Sequence, residues 1–141
     1  MSDWLVDTSV IVKWVLPEPD SGLAIRVAAD TAAAGGVLYA LDLALIEAAN
    51  VVWTRLHRKL LTLTEARQAL ALLQQAGVVT LASLPLLTKG FDVAAQFDIA
   101  VYDALFVIGA RERGIGGVTA DEPLVRAVSS AFPEIKLLRN W

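Results

Sequence analysis

Trp4-Leu5-Val6-Asp7-Thr8-Ser9-Val10-Ile11-Val12-Lys13-Trp14-Val15-Leu16-Pro17 is the stretch on which the fold turns. The apolar run Trp4 to Val6 reads as a short buried strand that stops at Asp7. From Ser9 to Val15 the pattern is helical, and Pro17 and Pro19 break it. A strand that turns directly into a helix is the opening unit of an α/β domain. Its carboxylate then lies at the carboxyl end of the strand, the edge where open parallel sheets bind ligands.

Working outward, a helix is expected from Ser21 to Ala34, ended by Gly35 and Gly36, and a strand from Val37 to Leu41 with Asp42 as the next N-cap. Leu43 to about Leu60 reads as a long helix with Glu47, Asn50 and Thr54 on one side and Ile46, Ala49, Trp53, Leu56 and Leu60 on the apolar side. Thr62 and Glu65 have the spacing of a capping box for a helix that runs to Gly77. Val78 to Leu81 suggests a strand, and helices are expected over Pro85 to Phe97 and Val101 to Glu112. Then follow a strand at Gly117 to Thr119, a helix at Glu122 to Ala131 and a last strand at Ile135 to Leu138. Strands alternating with helices predict one α/β domain over residues 1–141, a three-layer α/β/α sandwich around a mainly parallel sheet.

Composition narrows the chemistry. The chain has 141 residues, no cysteine, one histidine (His57) and a net charge of -3. Cysteine-based zinc sites, thiol nucleophiles and redox pairs are thereby excluded, leaving oxygen ligands as the main metal chemistry. No broad cationic surface is available for nonspecific nucleic-acid binding. Mean hydropathy is +0.57, yet charged residues, Gly and Pro interrupt every apolar run short of the roughly 18 residues needed to span a bilayer. A cytoplasmic chain with no membrane segment is expected, and its apolar excess favours a protein partner or a homodimer.

Four acids stand singly in apolar or small-residue surroundings: Asp7 in WLVDTSV, Glu47 in LALIEAANVV, Asp103 in IAVYDALFVI and Asp121 in GGVTADEPL. Taken alone, Asp7 and Asp121 read equally well as helix caps and Asp103 as a first-turn acid favoured by the helix dipole, while Glu47 could face solvent. Taken together at one sheet edge, ionised carboxylates about 6 Å apart repel by about 3 kcal/mol per pair at an effective dielectric near 20. A cation or proton uptake must relieve that. An all-oxygen set suits Mg2+, or Mn2+, and points to phosphodiester hydrolysis. Asp92 and Asp98 read as solvated or loop carboxylates, and Glu122 as a neighbour of Asp121 whose spacing from Thr119 also fits a capping box. Arg55, Arg58 and Lys59 could guide a phosphate backbone or simply favour a helix C-terminus.

The ordered set DTS at Asp7 to Ser9, EAAN at Glu47 to Asn50, YDA at Tyr102 to Ala104 and TAD at Thr119 to Asp121 resembles the PIN-domain nucleases, and among them the VapC-type ribonuclease toxins. The likeness runs through essentially the whole chain. It implies a metal-binding quartet of Asp7, Glu47, Asp103 and Asp121, with Ser9 and Thr119 as hydroxyl positions beside it. It also implies hydrolysis of RNA with one or two Mg2+ ions and inhibition by a small antitoxin. Asp7 and Asp103 are the first choices for direct ligands, with Asp121 and Glu47 acting directly or through water. An RNA-processing PIN nuclease without an antitoxin would use the same acids. A haloacid-dehalogenase-like phosphatase wants a second Asp where Ser9 stands, and a receiver domain wants a Lys after the last strand, a role Lys136 does not convincingly fill.

Overall fold

The computed structural model describes residues 2–141. Its elements in order are β1 (Trp4–Val6), α1 (Thr8–Val15), α2 (Ser21–Ala33), β2 (Leu38–Leu41), α3 (Asp42–His57), α4 (Leu63–Gln74), β3 (Val79–Leu81), α5 (Leu87–Phe97), α6 (Val101–Arg113), β4 (Gly116–Thr119), α7 (Glu122–Val128) and β5 (Ile135–Leu137). The five strands form one sheet in the order β3-β2-β1-β4-β5. Every pairing is parallel, with Leu5 opposite Tyr39 on one side and Gly117 on the other.

Alternation along the strands builds the two cores. Val6, Leu38, Ala40 and Val118 pack with α1, α2, α3 and α4. Leu5, Tyr39, Leu41 and Ile135 pack with α5, α6 and α7. The sheet is therefore the middle of three layers, as the alternation of elements predicts. Close approach of β4 needs its glycines: a Cβ on Gly116 would fall 2.3 Å from the Trp4 ring, and one on Gly117 would fall 2.8 Å from Phe106 on the opposite face. Both clashes are with packed rings, the partly buried Trp4 and the buried Phe106, so the Gly116-Gly117 pair is what lets β4 lie against β1 with aromatics covering each side.

The Thr62–Glu65 capping box forms as read, with Thr62 Oγ1 accepting from the Glu65 N–H and Glu65 Oε1 accepting from the Thr62 N–H. Three expectations are corrected. Asp42 is the first residue of α3 and not its cap; its carboxylate accepts from the Ser83 N–H at 3.3 Å, and hydrogen bonding from Ser83, its side chain foremost and its N–H as well, holds it below the usual carboxylate range. The helix after β4 ends at Val128, short of Ala131. Helix α3 ends at His57, short of Leu60, and its buried residues are Ala44, Ala48 and Val52, whereas Ile46 and Trp53 are 73% and 57% exposed. Helix α3 is apolar nearly all round, so periodicity alone does not choose the inner face. The choice falls on the small residues at four-residue intervals, which let α1 and α4 come close.

Among the described residues, no single helix is long and apolar enough to cross a membrane. The assignment of the α3 faces is checked by denaturant unfolding: Val52→Ala is expected to lower stability by about 2 kcal/mol through a buried cavity, and Trp53→Ala to stay within about 1 kcal/mol of wild type.

Candidate functional site

Strand order places a topological switch point between β1 and β4, because the chain leaves β1 toward β2 on one side and reaches β4 on the other. Asp7 follows β1 directly and Asp121 lies two residues beyond β4. Asp103 sits in the first turn of α6, and Glu47 on the second turn of α3. All four line one cleft of about 410 Å³ at the carboxyl edge of the sheet, with Val6, Ser9, Leu41, Tyr102, Phe106 and Ala120 among its other walls.

Asp7 is the most constrained of the four. It caps α1 by accepting from the Ser9 N–H at 3.0 Å, and the Ser9 hydroxyl donates to the same oxygen. Its other oxygen accepts from Thr119 Oγ1 at 2.6 Å. Each hydroxyl is itself fixed by a backbone donor, Ser9 Oγ by the Ala120 N–H at 2.9 Å and Thr119 Oγ1 by the Asp121 N–H at 3.1 Å. Capping and site-building are thus one arrangement. Burial pushes the Asp7 carboxyl up to about 6 and the charge on Asp103 adds to this, against the opposing donation from Ser9 and Thr119.

Glu47 accepts from Thr8 Oγ1 at 3.2 Å, and its carboxyl is raised by burial and by the Asp103 charge. Asp103 is raised by burial and by the Asp121 charge. Asp121 caps α7 by accepting from the Leu124 N–H at 3.1 Å. The Thr119–Glu122 capping box therefore does not form; Glu122 instead pairs with Arg139 at 3.0 Å.

Among the described residues, no three acidic or histidine side chains are drawn together closely enough to ligate one bare ion. The donor set nonetheless suits a hard cation. It is all oxygen, it faces an open cleft, and the three carboxyls raised chiefly by burial, and further by neighbouring charge, are ones whose ionised form a bound cation would favour. Mg2+ keeps several waters and commonly takes only one or two carboxylates directly, so a cleft wider than a closed cage fits it.

Other residues singled out in the sequence lie elsewhere. Arg55 is committed to Glu18, and His57 stacks on Trp53 with ring centroids 5.0 Å apart. The Trp14 indole donates to the Ala24 carbonyl at 2.7 Å. Lys136 lies over the Trp141 ring at 4.6 Å, which removes the lysine a receiver domain needs. Ser9 occupies the place of the second phosphatase Asp and donates to Asp7. Thr8, bonded to Glu47, was missed by sequence reasoning, since nothing in its position announces a contact to a residue on a distant helix.

The PIN domain family model matches residues 4–128. No curated protein matches the chain by sequence. Among solved structures, the chain is similar to PAE2754 from Pyrobaculum aerophilum, at 22% identity over 98% of this chain and 85% of that one, with a TM-score of 0.70. It is also similar to VapC20 of Mycobacterium tuberculosis, a Sarcin-Ricin loop cleaving toxin, at 17% identity over 93% of this chain and 97% of that one, with a TM-score of 0.67. At these identities the two structures establish the fold.

The raised acids set the sign of the pH dependence. A carboxyl that ionises near pH 6 when folded but near 3.9 when unfolded takes up protons on folding, so its contribution is present at low pH and lost as pH rises through 6. In EDTA, the metal-free chain is expected to lose on the order of 3 kcal/mol at most between pH 4 and pH 7 from Asp7 alone. Asp7→Asn should flatten that loss and be the more stable protein at pH 7, as read by urea unfolding.

Proposed function

The chain belongs to the PIN domain family, and from that premise we propose that it is a divalent-metal-dependent endoribonuclease acting as the toxin of a toxin–antitoxin pair. The observation that carries the reading is the convergence of Asp7, Glu47, Asp103 and Asp121, from four separate elements, on one cleft at the switch point of the sheet. The single unit is taken to span residues 1–141. An RNA substrate is supported by the likeness to VapC20, a Sarcin-Ricin loop cleaving toxin.

In this reading Asp7 and Asp103 hold Mg2+, or Mn2+, while Asp121 and Glu47 complete the site directly or through water. When bound, the cation polarises the scissile phosphate and lowers the pKa of the attacking water. The protein's own groups supply position. Ser9 and Thr119 fix both oxygens of Asp7, so its carboxylate cannot rotate away from the cleft. Thr8 ties Glu47, on α3, to the first residue of α1. No side chain need form a covalent intermediate. Burial in the cleft strengthens every charge interaction there by removing water.

Partner surfaces follow from exposed apolar residues. Ile46 on α3 and Leu84, Leu87 and Phe91 along the approach to α5 and its first turns are 73%, 78%, 45% and 62% exposed. The Ser83 to Asp42 hydrogen bond ties these two segments together. A homodimer across this face, with a small antitoxin reaching the acid-lined cleft through a basic side chain, accounts for apolar surface that a lone cytoplasmic chain would carry at a cost in solubility. Sedimentation is expected to show a dimer that Phe91→Asp converts to monomer; a wild-type monomer at tens of micromolar would set the dimer aside.

Cleavage tests the chemistry. Wild type is expected to cut total RNA with Mg2+ or Mn2+ and to stop in EDTA. Asp103→Ala should lose more than about 100-fold in rate while keeping wild-type circular dichroism. Undiminished, metal-dependent cutting by that variant would remove Asp103 from the site.

A further inference from the structure

Among the described residues, Lys13 contributes the sole cationic side chain to a cleft otherwise lined by the four acids, Glu18, the hydroxyl-bearing Thr8, Ser9 and Tyr102, and apolar groups. Its side chain is only 12% exposed and that of Glu18 18%, and a lysine is seldom so enclosed unless paired. The pairing is uneven. Lys13 Nζ donates to the Pro19 carbonyl at 2.7 Å but reaches Glu18 Oε1 only at 3.5 Å. The other oxygen of Glu18 is held by Arg55, which reaches over from α3. Arg55 is thus the main counterion of Glu18, and Glu18 stays compensated if Lys13 turns away. An ammonium has three donors, so Lys13 retains both charge and donor capacity beside the cleft.

Helix geometry supplies the reach. Lys13 lies on α1, six residues beyond the helix cap Asp7 and about 9 Å along the axis. Its ammonium is held at the Glu18–Pro19 turn, and the residue lines the same cleft as the acids. A polyanion entering an acidic cleft on a chain of net charge -3 needs a fixed cation besides the reacting metal.

We propose that Lys13 binds the RNA phosphate adjacent to the scissile one, and that Glu18, anchored by Arg55, is the stand-in acceptor that the RNA displaces. This rests on the nuclease reading above. Steady-state cleavage of a short labelled RNA with Mg2+, measured across a KCl series, tests it. Lys13→Gln is expected to raise KM about 10-fold, as for loss of one charge-assisted hydrogen bond, with kcat held within about threefold. The slope of log kcat/KM against log salt should become shallower by about 0.7, one phosphate contact on a single strand. Lys13→Arg should restore both, and Glu18→Gln should lower KM. Urea unfolding of each variant separates these effects from instability. If Lys13→Gln loses stability and kcat with its salt slope unchanged, the lysine is structural and the proposal falls, while the nuclease reading stands. A wild-type chain that neither binds nor cuts RNA overturns both.

Discussion

The two hydroxyl groups that grip Asp7 hold the site and the centre of the sheet in one arrangement. Ser9 comes from the helix after β1 and Thr119 from the end of β4, and both donate to the one carboxylate while accepting from the backbone beyond β4. The lock therefore spans the switch point of the sheet, where parallel pairing of β1 and β4 would otherwise leave two chain ends diverging. Glycines at 116 and 117 make that approach feasible, since a side chain at either would strike a packed aromatic ring, Trp4 or Phe106. Local turn chemistry, strand packing and the position of the first acid are consequences of the same contacts.

Electrostatics runs against this arrangement. Burial and neighbouring charge raise Asp7, Glu47 and Asp103 together, so the folded chain concentrates groups that resist ionising. A protein under selection for stability alone would gain by replacing one of them with an amide. A cation held in their common cleft would offset the part of that cost that comes from neighbouring charge. On the rim, Lys13, Glu18 and Arg55 form a separate charge network in which the arginine compensates the glutamate more closely than the lysine does.

Much of this was readable from residue order. Asp7, Glu47, Asp103 and Asp121 stand out because carboxylates are rare in such apolar contexts, and Thr62 and Glu65 have a spacing with one local meaning. What escaped reading depended on tertiary choices. The inner face of α3 was not read, because Leu43, Ala44, Leu45, Ile46, Ala48 and Ala49 leave little polarity contrast, and close helix packing selected Ala44, Ala48 and Val52. Asp42 resembled a cap because it follows a strand, but the chain becomes helical at Asp42 itself and its carboxylate finds Ser83 instead. Thr8 and Lys13 gave no signal, since their partners lie on other elements or in a loop.

The central claim is that the acid cleft binds a divalent cation through Asp7, and proton-linked calorimetry measures this most directly. With burial pushing Asp7 up to about 6, Mn2+ binding at pH 6, followed in two buffers of different ionisation enthalpy, is predicted to release about half a proton per ion from Asp7, beyond what Asp103 and Glu47 release. That release should fall by about half a proton in Asp7→Asn. Absence of Mn2+ binding at millimolar concentration, or equal binding and proton release in wild type and Asp7→Asn, would contradict the account.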